Sequence, residues 1–307
     1  MEEASPIIEV RDLVVEYGKG KRKVRAIDGI SFHVKKGECV GFIGANGAGK
    51  TTTIKVLMGF QFPIKGEARV FGERAGTVES RRRIGYLPEV ALYYPFMKAR
   101  ELLELYGGLH GLNNLELKDR IPRLLTKMGL EDKGEILLKH FSKGMQQRLG
   151  IAQAIIADPE ALIFDELSSG LDPLGRYDLR SVLLDLKSRG RTIFFSSHEL
   201  SEVETLCDRV IMIHKGKIVS ESCVQDLMKP LNVFEIVFSL PDGGKMPEIL
   251  NRFHPVQEGD LFKAVINEVE GYSQAVSALA DAGASIRHTF SKSTTLEQYF
   301  INLVGKS

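Results

Sequence analysis

Eight residues, Gly44-Ala45-Asn46-Gly47-Ala48-Gly49-Lys50-Thr51, fit the pattern G-x-x-x-x-G-K-[ST], and Thr52 follows them. The chemistry these types suit is the holding of a triphosphate. Gly44, Gly47 and Gly49 lack a Cβ, so the chain can curl until the backbone N–H groups of the whole loop, those of Ala45, Asn46 and Ala48 included, point at phosphate oxygens. Lys50 is long enough to reach the β and γ phosphates. The Thr51 hydroxyl suits Mg²⁺, a cation that prefers oxygen and keeps several waters. Thr52 is placed to bond the α phosphate. The flanks agree: Cys39 to Ile43 is an apolar run that reads as a buried strand, and Thr52 to Met58 has the spacing of a buried helix, whose N-terminal dipole favours an anion.

A second cluster follows the apolar run Ala161-Leu162-Ile163-Phe164, which ends in Asp165-Glu166. Both carboxylates stand where a buried parallel strand emerges at the ligand edge of its sheet. Charge there is costly unless it binds something. One carboxylate suits Mg²⁺ and the other suits an attacking water that must lose a proton. Ile193-Phe194-Phe195 repeats the geometry and delivers Ser196-Ser197-His198, a polar cluster within reach of a γ phosphate. The pair His198-Glu199 has no second histidine at metalloprotease spacing, so no zinc site is implied. Tyr17 ends a β-like stretch upstream of the loop; an aromatic there suits stacking on a base and equally suits plain core.

The elements that must position these groups are legible in outline. Residues 7–17, 23–34, 66–71 and 83–86 read as strands, and 98–110, 117–128 and 143–157 as helices. A mostly helical insert, about 90–158, thus interrupts a phosphate-binding sheet. The basic runs Lys19 to Lys23 and Arg81 to Arg83 read as solvated surface. After Pro230 the pattern changes: Phe234, Ile236 and Phe238 alternate as a strand, 245–253 read helical, 261–267 β-like, 271–283 helical, 284–290 β-like and 294–304 helical. That order suggests a small α+β domain over 231–307, of ferredoxin-like type, beside a nucleotide-binding domain over 5–228.

Composition bounds the function. The 307 residues carry 41 Lys+Arg against 40 Asp+Glu, which argues against nucleic-acid binding by charge alone. Three widely spaced cysteines, Cys39, Cys207 and Cys223, read as free thiols in a reducing cytosol. The acidic start MEEASPIIEV does not read as a signal peptide. No apolar run approaches the ~18 residues of a membrane span, so a membrane role is expected to be peripheral.

Four further pieces fall in order around the phosphate loop, and with them the sequence resembles the ATP-binding cassette (ABC) ATPases over about residues 5–228. Phe141-Ser142-Lys143-Gly144-Met145 looks like the family's signature motif, Ser169-Gly170-Leu171-Asp172 like its D-loop, His198 like its switch histidine and Tyr17 like its stacking aromatic. The resemblance implies an α/β fold of the P-loop NTPase type, a mixed sheet with an antiparallel β subdomain and a helical subdomain. It implies ATP and Mg²⁺ as ligands, Asp165 and Thr51 at the metal, and Glu166 as the base with Lys50 and His198 beside it. It also implies that two cassettes pair head to tail, with Ser142, Gly144 and Asp172 of one chain completing the nucleotide site of the other. The partner is then a second copy or a related cassette.

The sequence departs from the family pattern at three places. Lys143 and Met145 replace Gly and Gln of the signature, Leu167 replaces the usual Pro, and Glu89, after Ile84-Gly85-Tyr86-Leu87-Pro88, replaces a Gln. A carboxylate at 89 can still ligate Mg²⁺ but adds negative charge near the γ phosphate. Glu89, Lys143-Gly144-Met145 and the ending Thr294-Thr295-Leu296-Glu297-Gln298-Tyr299-Phe300 resemble the bacterial exporter branch, whose cassettes sit at the cytoplasmic face of the membrane and serve separate permeases. In that branch the groove near Glu89 to Glu104 receives the permease. The alternative is a soluble ATP-driven switch acting on DNA or ribosomes, but the long coiled coil or doubled cassette of such relatives is not found. A GTPase is disfavoured because no Asn-Lys-x-Asp occurs, and a non-hydrolysing regulator because Glu166 and His198 are in place.

Overall fold

The computed structural model describes residues 5–18, 20–168, 170–228, 230–241, 244–293 and 295–305. Lys19, Ser169 and Thr294, named in the motifs above, lie outside the described residues. The chain divides into two compact units, one ending at Val224 and the other beginning at Gln225.

In the first unit the order is β1 (Ile8–Tyr17), β2 (Val24–Val34), β3 (Cys39–Ile43), α1 (Lys50–Leu57), β4 (Lys65–Val70), β5 (Glu73–Arg74), α2 (Val78–Arg82), β6 (Ile84–Leu87), α3 (Ala99–Leu109), α4 (Asn114–Lys127), α5 (Lys143–Ile155), β7 (Ala161–Phe164), α6 (Pro173–Ser188), β8 (Thr192–Ser197), α7 (Leu200–Leu206), β9 (Arg209–His214) and β10 (Lys217–Cys223). Two sheets result. One is antiparallel, with strand order β2-β1-β4-β5; the other runs β10-β9-β3-β8-β7-β6 and is parallel from β9 to β6. The strands β3, β7 and β8 are buried along their whole length; β3 and β7 are correspondingly continuous apolar runs rather than alternating ones, and β8 is apolar at its centre, Ile193 to Phe195. Three phenyl rings join the two sheets: Phe32 of β2 lies 5.6 Å from Phe42 of β3 and 5.7 Å from Phe194 of β8.

Helix starts follow their caps. Asn113 caps α4, accepting from Leu115 and Glu116 N–H at 3.0 Å each, while Glu116 returns to the Asn113 N–H (2.8 Å). Arg83 is exposed, as its basic run suggests, and it also makes two contacts at the surface. Its guanidinium sits 3.8 Å over the Phe71 ring and pairs with Glu160 at 2.6 Å. No helix among the described residues is long and apolar enough to cross a membrane.

One ion pair beneath the phosphate-binding strand makes a stability prediction. Arg209 donates to Glu38 at 2.6 and 2.9 Å and to the His33 carbonyl at 2.6 Å. Burial works to raise the Glu38 carboxyl, but the guanidinium and the Lys35 N–H outweigh it and hold it below the usual range. A depressed carboxyl stabilises the fold above its unfolded pKa, and that contribution is lost as pH falls through the folded value. Glu38→Gln should therefore cost about 1.5–3 kcal/mol at pH 7. Urea titrations at descending pH should show the gap to wild type closing once pH drops below the ordinary carboxylate range.

The division falls within α8 (Val224–Leu227), and the second unit then holds β11 (Pro230–Ser239), α9 (Glu248–Asn251), β12 (Val256–Glu258), β13 (Leu261–Ile266), α10 (Val269–Asp281), β14 (Ser285–Ser293) and α11 (Leu296–Val304). Its sheet is antiparallel with order β12-β13-β11-β14. From β11 to β14 the order βαββαβ and this strand arrangement are those of a ferredoxin-like fold. Ile236 and Phe238, Ala264 and Ile266, and Ala275 and Leu279 form its core: period 2 on the strands and i, i+4 on α10. The helix expected over 245–253 shrinks to Glu248–Asn251, because Pro247, with its fixed φ, lets the helix begin only after it.

Candidate functional site

Four parallel strands bring their C-terminal ends to one edge of the sheet. In register, Leu87 of β6 lies beside Phe164 of β7, Phe164 beside Phe195 of β8, and Ile43 of β3 beside Ser197. Glu89, Asp165, His198 and the 44–49 loop must therefore emerge together. A cleft of about 300 Å³ is lined by Asn46, Gly47, Lys50, Thr51, Glu89 and Glu166 among others; Asp165 and His198 are not in its lining but are bonded to Thr51 and Glu166, which are.

The loop closes on itself through the Ala48 N–H to the Ala45 carbonyl (3.1 Å). Gly49 carries φ +117°, and a Cβ there would stand 2.6 Å from Ile27 Cδ1 and 2.9 Å from the Ala26 carbonyl; only glycine meets both demands. The helix α1 starts at Lys50, two residues before the expected Thr52, so Lys50 and Thr51 belong to its first turn. Lys50 is 5% exposed. Its ammonium donates to the Gly44 carbonyl at 2.8 Å and pairs with Glu166 Oε1 at 3.2 Å. Tyr17, at the end of β1, lies with its hydroxyl 3.3 Å from Thr52 Oγ1, which brings the ring to that same first turn.

The carboxylate pair is held by short-range chemistry on every side. Asp165 Oδ1 accepts from Ser196 Oγ at 2.8 Å and from Thr51 Oγ1 at 3.2 Å. Burial raises the Asp165 carboxyl above its ordinary range; the two hydroxyls oppose this, and the charges of Glu89 and Glu166 add to it. Glu166 has φ +54°, a left-handed conformation that a branched-free but non-glycine residue holds only when its surroundings impose it. Its N–H donates to Ser196 Oγ at 2.9 Å, and the His198 ring meets its Oε2 through Nδ1 at 2.5 Å. One carboxylate therefore sits between an ammonium and an imidazole, at the mouth of a phosphate-sized cleft.

Two residues near this site, Glu202 and Gln147, were not singled out by the sequence, and a third, Ser196, has another place than expected. Ser196 was grouped with Ser197 and His198 as a cluster facing the phosphates. Instead its hydroxyl ties Asp165 to the Glu166 N–H, and the Ser197 hydroxyl accepts from the Glu199 N–H (2.9 Å) and lies 3.4 Å from Glu202; of the cluster only His198 joins the Lys50–Glu166 pair. Glu202 is buried and its carboxyl is raised by that burial, against hydrogen bonds from Ser168 and Ser197 and the Arg176 charge. Gln147 is buried on α5 and donates to the Leu167 carbonyl at 2.7 Å. The signal available was a polar side chain inside an apolar strand or helix face, which must find a partner.

Other expected site residues lie elsewhere in the chain. Ser142 caps α5, accepting from the Met145 N–H at 3.2 Å, and Asp172 caps α6, accepting from the Gly175 N–H at 2.8 Å. Gly144 lies against Gly170, whose carbonyl would stand 3.5 Å from an added Cβ. These two helix starts are neighbours, and none of Ser142, Gly144 and Asp172 lines the phosphate-loop cleft. Among the described residues no three His, Cys, Asp or Glu side chains converge as a metal cage. The donor set Thr51 and Asp165, with Glu89 nearby, is all oxygen, which suits a hard cation held by one or two protein groups together with substrate oxygens.

Comparison with known proteins agrees with this architecture. The ABC transporter family model matches residues 27–169. A bacitracin transport ATP-binding protein from Bacillus licheniformis is 36% identical, over 98% of this chain and 98% of its own length. A Nod factor export ATP-binding protein from Paraburkholderia xenovorans is 33% identical, over 96% of this chain and 98% of its own. Among solved structures, the ATP-binding subunit of an ABC transporter superposes with a TM-score of 0.66 at 34% identity, covering 72% of this chain and 91% of that one. With the 44–51 loop, the Asp165-Glu166 strand end and His198 at one sheet edge, and with these relatives, the chain belongs to the ATP-binding proteins of the ABC transporter family.

Proposed function

We propose that the chain hydrolyses ATP as one half of a head-to-tail pair of cassettes and so powers export through a separate integral-membrane permease. The observation that carries this reading is the division of the site. Lys50, Thr51 and Glu166 line one cleft, with Asp165 and His198 bonded to them, while Ser142 and Gly144 at the α5 start, and Asp172 at the α6 start, are not in its lining. A helix start with a capping serine suits a γ phosphate, and a second chain, identical or related, brings it to the cleft.

In this reading the loop amides of Gly44 to Thr51, together with Thr52, hold the phosphates, and Tyr17 stacks on the base. Lys50 moves its ammonium from Glu166 toward the β and γ phosphates. Glu166, freed from that pair, takes a proton from the water that attacks the γ phosphorus; the bond to the ADP oxygen breaks, leaving ADP and phosphate. His198 holds the Glu166 carboxylate in register. Thr51 and Asp165, with Glu89 beside them, would hold Mg²⁺, which when bound neutralises charge on the β and γ phosphates.

The stretch between β6 and α3 supports the permease. Val90, Leu92, Tyr94 and Phe96 are 65%, 90%, 71% and 77% exposed, beside a cleft of about 330 Å³ floored by Phe60, Tyr86 and Tyr106. Exposed apolar groups gathered at one place mark a docking surface. A pull-down of the tagged chain from native membranes in mild detergent should bring a polytopic membrane protein at near-equal stoichiometry. Recovery of ribosomes or DNA without any membrane protein would overturn the transporter reading and leave the ATP site standing.

A further inference from the structure

We propose that Gln147 couples the two nucleotide sites of the pair: it is the positioning residue through which the signature end of α5 acts on the Glu166 turn of its own chain. This rests on the head-to-tail reading above. In that reading the start of α5 touches the partner's nucleotide, whereas Glu166 serves the chain's own. Some contact inside each chain must carry the state of one site to the other.

Gln147 is placed for this. It lies one turn and a half beyond Ser142 on α5, is 5% exposed, and donates from Nε2 to the Leu167 carbonyl at 2.7 Å. That carbonyl belongs to the residue directly after Glu166. Water cannot replace a buried donor, so a shift of α5 either carries the 166–167 backbone with it or leaves a carbonyl unpaired. The turn is also responsive. Glu166 sits at φ +54°, a conformation sustained by its neighbours. Its other backbone ties, the Glu166 N–H to Ser196 Oγ (2.9 Å) and the Leu167 N–H to the Ser196 carbonyl (3.4 Å), come from β8, while the Glu166 side chain meets Lys50 and His198. Gln147 thus adds the helical segment to a turn whose backbone is otherwise anchored on the sheet, and a small movement of α5 alters where the base points.

The test uses Gln147→Met, which keeps length and apolar packing but has no N–H to donate, alongside Gln147→Ala. ATP hydrolysis is measured across ATP concentration, with thermal unfolding as a check on the fold. Wild type should be cooperative, with a Hill coefficient approaching about 2 for two sites. Both variants should bind ATP as wild type does, lose cooperativity to a Hill coefficient of about 1, and turn over roughly tenfold more slowly, a coupling within the usual range. A purely structural peg would be rescued by methionine; a wild-type Hill coefficient in Gln147→Met overturns the proposal. So does a non-cooperative wild type whose Glu166→Gln form still pairs in ATP. If Glu166→Gln stays single in ATP, the head-to-tail reading itself fails.

Discussion

Replacing Glu166 with glutamine is expected to lower ATP turnover by about 10²–10⁴-fold, the usual worth of a positioned general base, while ATP binding survives. The amide matches the carboxylate in shape, so the turn held by Ser196 and Gln147 should keep its form. What disappears is the group that takes the proton from water. Binding should be unharmed or tighter, because the variant also removes a negative charge that lies 3.2 Å from the Lys50 ammonium and competes with phosphate for it. Radiolabelled ATP should stay bound as ATP through many wild-type turnover times. Unchanged hydrolysis would remove Glu166 from its role and leave His198 or Asp165 to be tested as the base.

Lys50→Ala should fail at the opposite step. Lys50 is the cation of the cleft wall, buried and pinned between the Gly44 carbonyl and Glu166. A charge-assisted hydrogen bond is worth about 1.5–3 kcal/mol, so its loss should weaken ATP by roughly tenfold to a hundredfold at 1.4 kcal/mol per decade. The true loss should sit at the upper end, since Glu166 would then face the γ phosphate uncompensated. Calorimetric titration with ATP reads this directly. Affinity equal to wild type would mean that the loop amides alone hold the phosphates.

Much of this site was legible in the chain because its information is local. A strand that ends in a glycine-rich turn, or in Asp165-Glu166, announces both its burial and its functional end within ten residues. The strands 7–17, 23–34 and 66–71, the helical insert and the ferredoxin-like unit were readable for the same reason: each rests on period 2 or 3.6 within one segment; that those strands form an antiparallel sheet was implied by the family resemblance. What escaped was pairing at long range. Ser196 reaches Asp165 and Glu166 across 31 and 30 positions, and Gln147 reaches Leu167 across 20; no spacing rule joins them. No elements were expected where α6, β9 and β10 lie, although Arg209–His214 and Lys217–Cys223 flank the turn at Lys215-Gly216 and pair as a hairpin. β9 carries no chemistry and so no motif marks it, yet it lies directly against β3. The basic run 81–83 told of Arg83's exposure but nothing of the aromatic ring and the carboxylate, Phe71 and Glu160, that the fold brings to it.

The central claim, that one chain supplies only part of each nucleotide site, is tested most directly by the mass of the Glu166→Gln chain in solution. Light scattering with ATP and Mg²⁺ should give twice the 34.1 kDa of the single chain, and the single-chain mass with ADP. A chain that remains at the single mass in saturating ATP, while binding it, would contradict the account.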